Sequence, residues 1–137
     1  MTASQARAAP PPDADWPAST VVMSDRGGIL VVEDDGIIAA DLAEALREAG
    51  ARVVGLAPSV AAALRLIAGP APLAGATLDL DLQGEMAFPV ADELVRRGVP
   101  FLFVTGHAAA VIPARFAHVA RCEKPINMSR VVPLLLA

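Results

Sequence analysis

The sequence predicts a doubly wound α/β domain, a five-stranded parallel sheet with helices on both faces. Three observations predict it. From Ile29 onward, short apolar runs of strand length alternate with segments whose apolar residues recur at helical spacing, and this happens five times. The first run, "ILVV", is continuously apolar, as suits a strand buried on both faces. Hydrophobic residues make up 55% of the 137-residue chain against 19% charged, which suits one domain with a substantial core. Strand–helix–strand units joined by right-handed crossovers then give a parallel sheet covered on both sides.

The elements follow in order. "ILVV" at 29–32 is the first strand. Asp35 is placed to cap the helix over 36–50, where Ile38, Leu42, Ala45, Leu46 and Ala49 share one face and Gly50 supplies the stop. "ARVVGLA" at 51–57 is the second strand, and Ser59 caps the helix at 60–68. "LAGATLDL" at 73–80 is the third strand and 86–98 its helix; "PFLFVT" at 100–105 is the fourth strand. The segment 107–117 is Ala-rich, broken by Pro113 and poor in large anchors, so it reads as the weakest part of the domain. "HVARCE" at 118–123 makes a short fifth strand. An abbreviated helix at 129–137 closes the chain, with Pro133 in or near its first turn. Phe88, Phe101, Phe103 and Cys122 read as core residues, and His118 as structural.

Residues 1–27 differ from the rest. "APPPDADWP" holds four prolines in nine residues, a density that removes backbone donors and blocks helices. A disordered N-terminal extension is expected over 1–27, with the folded domain over 28–137. Met23, directly before the first strand, is an alternative start. A net charge of −4 argues against a general nucleic-acid binder. No apolar run reaches the roughly 18 residues that span a bilayer, and the first residues lack the apolar stretch of a signal peptide. The single cysteine excludes an internal disulfide and fits a reducing compartment, so a cytoplasmic location is expected.

Ligands of such sheets bind beyond the carboxyl ends of the strands. There the first strand carries Glu33 and Asp34, the third Asp79, the fourth Thr105 and the fifth Lys124. Three carboxylates crowded together repel one another and raise one another's pKa. A hard divalent cation relieves that repulsion, and Mg²⁺ suits a few carboxylates plus several waters. A carboxylate can also attack phosphorus to give an aspartyl phosphate. An ammonium, a hydroxyl and the cation can then share the charge on the phosphoryl oxygens.

Taken together, "LVVEDD", "LDLDL", "FVTG" and "EKP", in this order at the ends of successive strands, resemble the receiver domain of two-component response regulators. The resemblance runs from 29 to about 136. It implies a flavodoxin-like sheet with strand order 2-1-3-4-5. It implies that Asp79 is the phosphoacceptor, that Glu33 and Asp34 with Asp79 hold Mg²⁺, and that Asp81 lends the metal its backbone carbonyl. Thr105 and Lys124 take the switch and phosphate-binding roles, and Pro125 follows a cis peptide. The implied donor is a sensor histidine kinase or a histidine phosphotransfer protein. The implied output is contact with a downstream protein target, or draining of phosphate from a shared kinase. No nucleic-acid or membrane partner and no enzyme activity on other substrates is expected, and the domain is expected to stand alone.

"PFLFVTGH" at 100–107 also resembles a single-domain subgroup marked by Pro-Phe-x-Phe-Ala-Thr-Gly, with Val104 in place of the alanine and His107 where a Tyr is often found. Arg121 occupies the usual aromatic switch position, three residues before the lysine, which departs from the family's standard activation. Segment 106–118 with His107 is the expected substitute. Bland readings stand beside these. Thr105 alone is equally a β-branched strand residue, the Asp81 side chain is more often a plain loop acid than a metal ligand, and His107 is more often a surface loop residue. Two rival readings exist. "LDLDL" also fits the nucleophile motif of haloacid-dehalogenase-like phosphatases, but those place the nucleophile on the first strand and need an acidic pair after the lysine. The other rival is a receiver-like binding module that is never phosphorylated.

Overall fold

The computed structural model describes residues 27–106, 112–124, 126, 127, 131 and 133–135. The extension with Met23, His107, Pro125 and most of the closing segment lie outside the described residues; 131 and 133–135 are helical. In chain order the elements are β1 (Gly28–Val32), α1 (Gly36–Glu48), β2 (Val53–Ala57), α2 (Val60–Ala68) and β3 (Leu73–Asp79). Then come β4 (Asp81–Leu82), β5 (Glu85–Met86), α3 (Phe88–Arg96), β6 (Phe101–Thr105), a 3-10 turn (Ala114–Phe116) and β7 (Arg121–Glu123).

The main sheet has the order β2-β1-β3-β6-β7, with every neighbouring pair parallel. With the small β4–β5 ribbon set aside, this is the expected 2-1-3-4-5 arrangement. Side chains of β1 alternate between two cores. Ile29 and Val31 pack with Ala39, Leu42 and Leu46 of α1. Leu30 and Val32 pack with Val60, Ala63 and Ile67 of α2 and with Val90, Ala91 and Leu94 of α3. Helices therefore cover both faces, and β1 is buried along its whole length.

Local signals behave as the sequence indicates. The Asp35 carboxylate accepts the Ile37 and Ile38 N–H groups at 2.9 and 3.2 Å, and Ser59 Oγ accepts the Ala62 N–H at 3.1 Å. Gly50 ends α1 at φ 93°, a left-handed conformation that a side chain would resist.

Two expectations need correction. The helix expected from 86 begins at Phe88, because 81–86 form an antiparallel hairpin instead. Pro89 falls in the first turn of α3, where its missing N–H costs nothing. The segment 106–118 is expected to have few large anchors and to be weakly held, yet its Phe116 is 2% exposed. Its ring stacks on Phe88 at 5.9 Å and meets Phe101 and Phe103 edge-on at 6.4 and 5.7 Å. Beside it, Arg115 forms a two-pronged bridge to Asp92 of α3 at 2.9 and 3.0 Å. The described part of this connection is pinned to α3 by one ring and one ion pair.

The sheet interior holds one misfit. Thr77, in the middle of β3, is 1% exposed, and among the described residues its Oγ1 has no hydrogen-bond partner. A buried hydroxyl without a partner pays its desolvation cost with no return. Thr77→Val keeps the shape and removes that cost. Its expected effect is a gain of about 1 kcal/mol, read as a higher urea midpoint with an unchanged slope. A lower midpoint would reveal a partner for the hydroxyl.

Candidate functional site

Parallel strands end on the same edge, so the polar residues that end β3 and β6 and those that follow β1 and β7 meet there. Glu33, Asp79 and Thr105 are 3%, 4% and 3% exposed, an unusual depth for two acids. Register explains the closeness. Val32 pairs with Leu78 and Asp79 with Val104, which sets Glu33, Asp79 and Thr105 side by side at the carboxyl end of the ladder. β7 is held on β6 by Thr105 opposite Glu123, and the Lys124 N–H donates to the Thr105 carbonyl at 2.8 Å.

Lys124 reaches back over this edge. Its Nζ lies 2.9 Å from Asp79 Oδ2 and 3.5 Å from both Glu33 carboxylate oxygens. The other Asp79 oxygen, Oδ1, accepts the Asp81 N–H at 3.3 Å. Glu33 Oε2 accepts the Asp35 N–H at 3.1 Å. Glu33 Oε1 is buried and makes no hydrogen bond among the described residues, although the Lys124 ammonium stands within ion-pair distance. Burial, followed by the hydrogen bond and charge of Asp79, pushes the Glu33 carboxyl up to about 8. Burial alone would lower the Lys124 ammonium, but its contacts with Asp79 and Glu33 outweigh this and raise its pKa.

One ligand atom each from Glu33, Asp34 and Asp79 lies within 4.8 Å of the others, so the cluster could hold a divalent cation. The donors fit such an ion. All are carboxylate oxygens, which suit hard cations, and Glu33 Oε1 is a buried acceptor that among the described residues has an ammonium at ion-pair distance but no hydrogen bond. The Asp81 side chain is not part of this cluster. It faces the hairpin turn, where its Oδ1 accepts the Gly84 N–H at 2.6 Å. Asp35 is spent on capping α1, as expected. Arg121 is exposed on β7, so no aromatic ring stands at that position.

No protein-family model and no curated protein sequence matches the chain. Solved structures do. The PhyR response-regulator REC domain of Erythrobacter litoralis superposes with a TM-score of 0.68 at 21% identity, over 77% of this chain and 84% of that one. SdrG from Sphingomonas melonis Fr1 shares 34% identity with a TM-score of 0.67, over 81% of this chain and 97% of SdrG. The chain belongs to the response-regulator receiver family. A Burkholderia pseudomallei response regulator, solved with a phosphorylated aspartic acid, a calcium ion and citrate, matches this receiver with a TM-score of 0.70 at 23% identity. That match covers 80% of this receiver and 66% of the other chain. Among the described residues of the receiver, no helix is long and apolar enough to cross a membrane.

The sequence reading named Glu33, Asp34, Asp79, Thr105 and Lys124, and the fold brings all of them to one edge. It did not single out the hairpin that follows Asp79. The only signal was "LQGE", a Gly-containing pair of turn residues between arms of two residues each.

Proposed function

We propose that Asp79 accepts a phosphoryl group from the phosphohistidine of a sensor kinase or histidine phosphotransfer protein, in a reaction that depends on Mg²⁺. The observation that carries this is the Asp79 carboxylate itself. It is buried, sits at the end of a central strand, and is held 2.9 Å from an ammonium with two further acids beside it. In the transfer a carboxylate oxygen attacks phosphorus, the phosphorus–nitrogen bond breaks, and its electron pair leaves with the donor imidazole. The chain's own residues supply position and charge. Lys124 would pair with one phosphoryl oxygen in place of its contact with Asp79, and the Thr105 hydroxyl would serve another. Glu33, Asp34 and Asp79 would hold the Mg²⁺ together with the Asp81 carbonyl, and the bound ion would neutralise part of the phosphoryl charge.

The calcium ion and phosphorylated aspartate of the Burkholderia relative support this reading without deciding it. Output would leave through contact with a partner protein, or the domain would drain phosphate from a shared kinase. Incubation with acetyl phosphate and Mg²⁺ tests the chemistry. The expected result is the mass of one added phosphoryl group, lost on treatment with base and absent when the metal is chelated. A protein that never gains this mass, from acetyl phosphate or from any host kinase, would leave the binding-module reading in its place.

A further inference from the structure

Directly after Asp79 the chain turns back on itself within residues 81–86. Gln83 and Gly84 form the two-residue turn, both at positive φ, 57° and 90°. In such a turn the flanking pair, here Leu82 and Glu85, takes the ladder hydrogen bonds. Asp81 and Met86 then form the neighbouring pair, whose N–H and C=O groups point away from the ladder. The Asp81 N–H shows where they point, because it is directed at Asp79 Oδ1, 3.3 Å away. N–H and C=O of one extended residue lie on the same side of the strand, so the Asp81 carbonyl also faces the acidic edge.

The hairpin is fixed at its base and at one flank. The Ala87 N–H closes the base on the Leu80 carbonyl at 2.9 Å, and Leu82 is 4% exposed in the core. At the flank, Glu85 Oε1 accepts the Val60 N–H at 3.4 Å, at the first residue of α2. Helix geometry leaves that N–H without an intrahelical partner, and the helix dipole favours a carboxylate there. Glu85 is also the ladder partner of Leu82, so moving Glu85 moves β4 and Asp81 with it.

We propose that Glu85 is a positioning residue for the metal site. Resting on the receiver chemistry proposed above, its carboxylate ties the hairpin to α2 and so holds the Asp81 carbonyl toward a cation on Glu33, Asp34 and Asp79. Glu85 touches neither the ion nor the phosphoryl group. The test titrates Mg²⁺ by calorimetry into the full chain, Glu85→Ala and Glu85→Gln, and follows hydrogen exchange at the Val60 amide. Glu85→Ala is expected to weaken Mg²⁺ roughly 10-fold, the low end of what lost outer support costs a metal site. Its Val60 amide should exchange faster. Glu85→Gln keeps an acceptor oxygen and should restore both readouts to near the parent values. Unchanged Mg²⁺ affinity in Glu85→Ala, with the parent binding normally, overturns the role of Glu85 alone. Equal weakening in both variants also overturns it, because charge rather than the hydrogen bond would then matter. A parent chain that binds no Mg²⁺ overturns the metal-dependent chemistry and this role with it.

Discussion

Asp79→Asn is expected to take up no phosphoryl group from acetyl phosphate and Mg²⁺, while Asp81→Asn still does. The two acids stand two residues apart and differ in surroundings. Asp79 is 4% exposed and faces the Lys124 ammonium, and one ligand atom each from Asp79, Glu33 and Asp34 lies within 4.8 Å of the others. Asp81 turns its carboxylate to the Gly84 N–H and offers only backbone to the cluster. An amide at 79 keeps the shape but has no anionic oxygen to attack phosphorus, so the loss should be complete within detection. Asp81→Asn keeps an acceptor oxygen for the turn and leaves its backbone carbonyl in place. Intact-protein mass after incubation decides the matter. A phosphoryl mass that persists in Asp79→Asn would move the acceptor elsewhere, with Glu33 the next acid to test.

Lys124→Met should destabilise the metal-free protein by roughly 2–4 kcal/mol, somewhat less than a wholly buried pair would lose. The side chain of Lys124 is 26% exposed, but those it faces, Glu33 and Asp79, are 1% and 5% exposed. Methionine keeps the apolar stem and removes the charge. Above the raised Glu33 pKa of about 8 both acids are charged, and the variant leaves them beside each other with no ammonium to offset their repulsion. Mg²⁺ should recover part of the loss, because a cation that binds only the folded state stabilises it by mass action. Urea denaturation with and without Mg²⁺ reads both effects. Equal metal-free stability of variant and parent would show that the contacts with Asp79 and Glu33 contribute no net energy.

The strand order and the meeting of site residues were legible because they depend on pattern. Short continuous apolar runs bounded by turn signals suit buried strands, and once these are parallel their carboxyl ends share an edge, whatever lies between them. Asp35 and Ser59 were legible as caps for a similarly local reason. Glu85 and Phe116 were not. Each arm of the hairpin is too short to show alternation, and the hydrogen bond of Glu85 lies 25 residues away in sequence. Phe116 is one apolar residue in an Ala-rich stretch, and only tertiary packing against Phe88, Phe101 and Phe103 makes it an anchor. Periodicity detects faces; a single long-range contact leaves no period to read.

The span of the Lys124 contacts has a consequence for how the chain folds. Lys124 meets Asp79 across 45 residues and Glu33 across 91. Contacts so distant close late, after loop entropy has been overcome, and parallel sheets are slow for this reason. A sheet that had assembled β1, β2, β3 and β6 but not yet β7 would hold two acids at its rim with no ammonium opposite. Such a half-built state carries an electrostatic penalty that the Lys124 ammonium reduces when β7 docks. The acids that mark the site thereby discourage partial structures, and they sharpen the transition between unfolded and folded chain toward all-or-none behaviour.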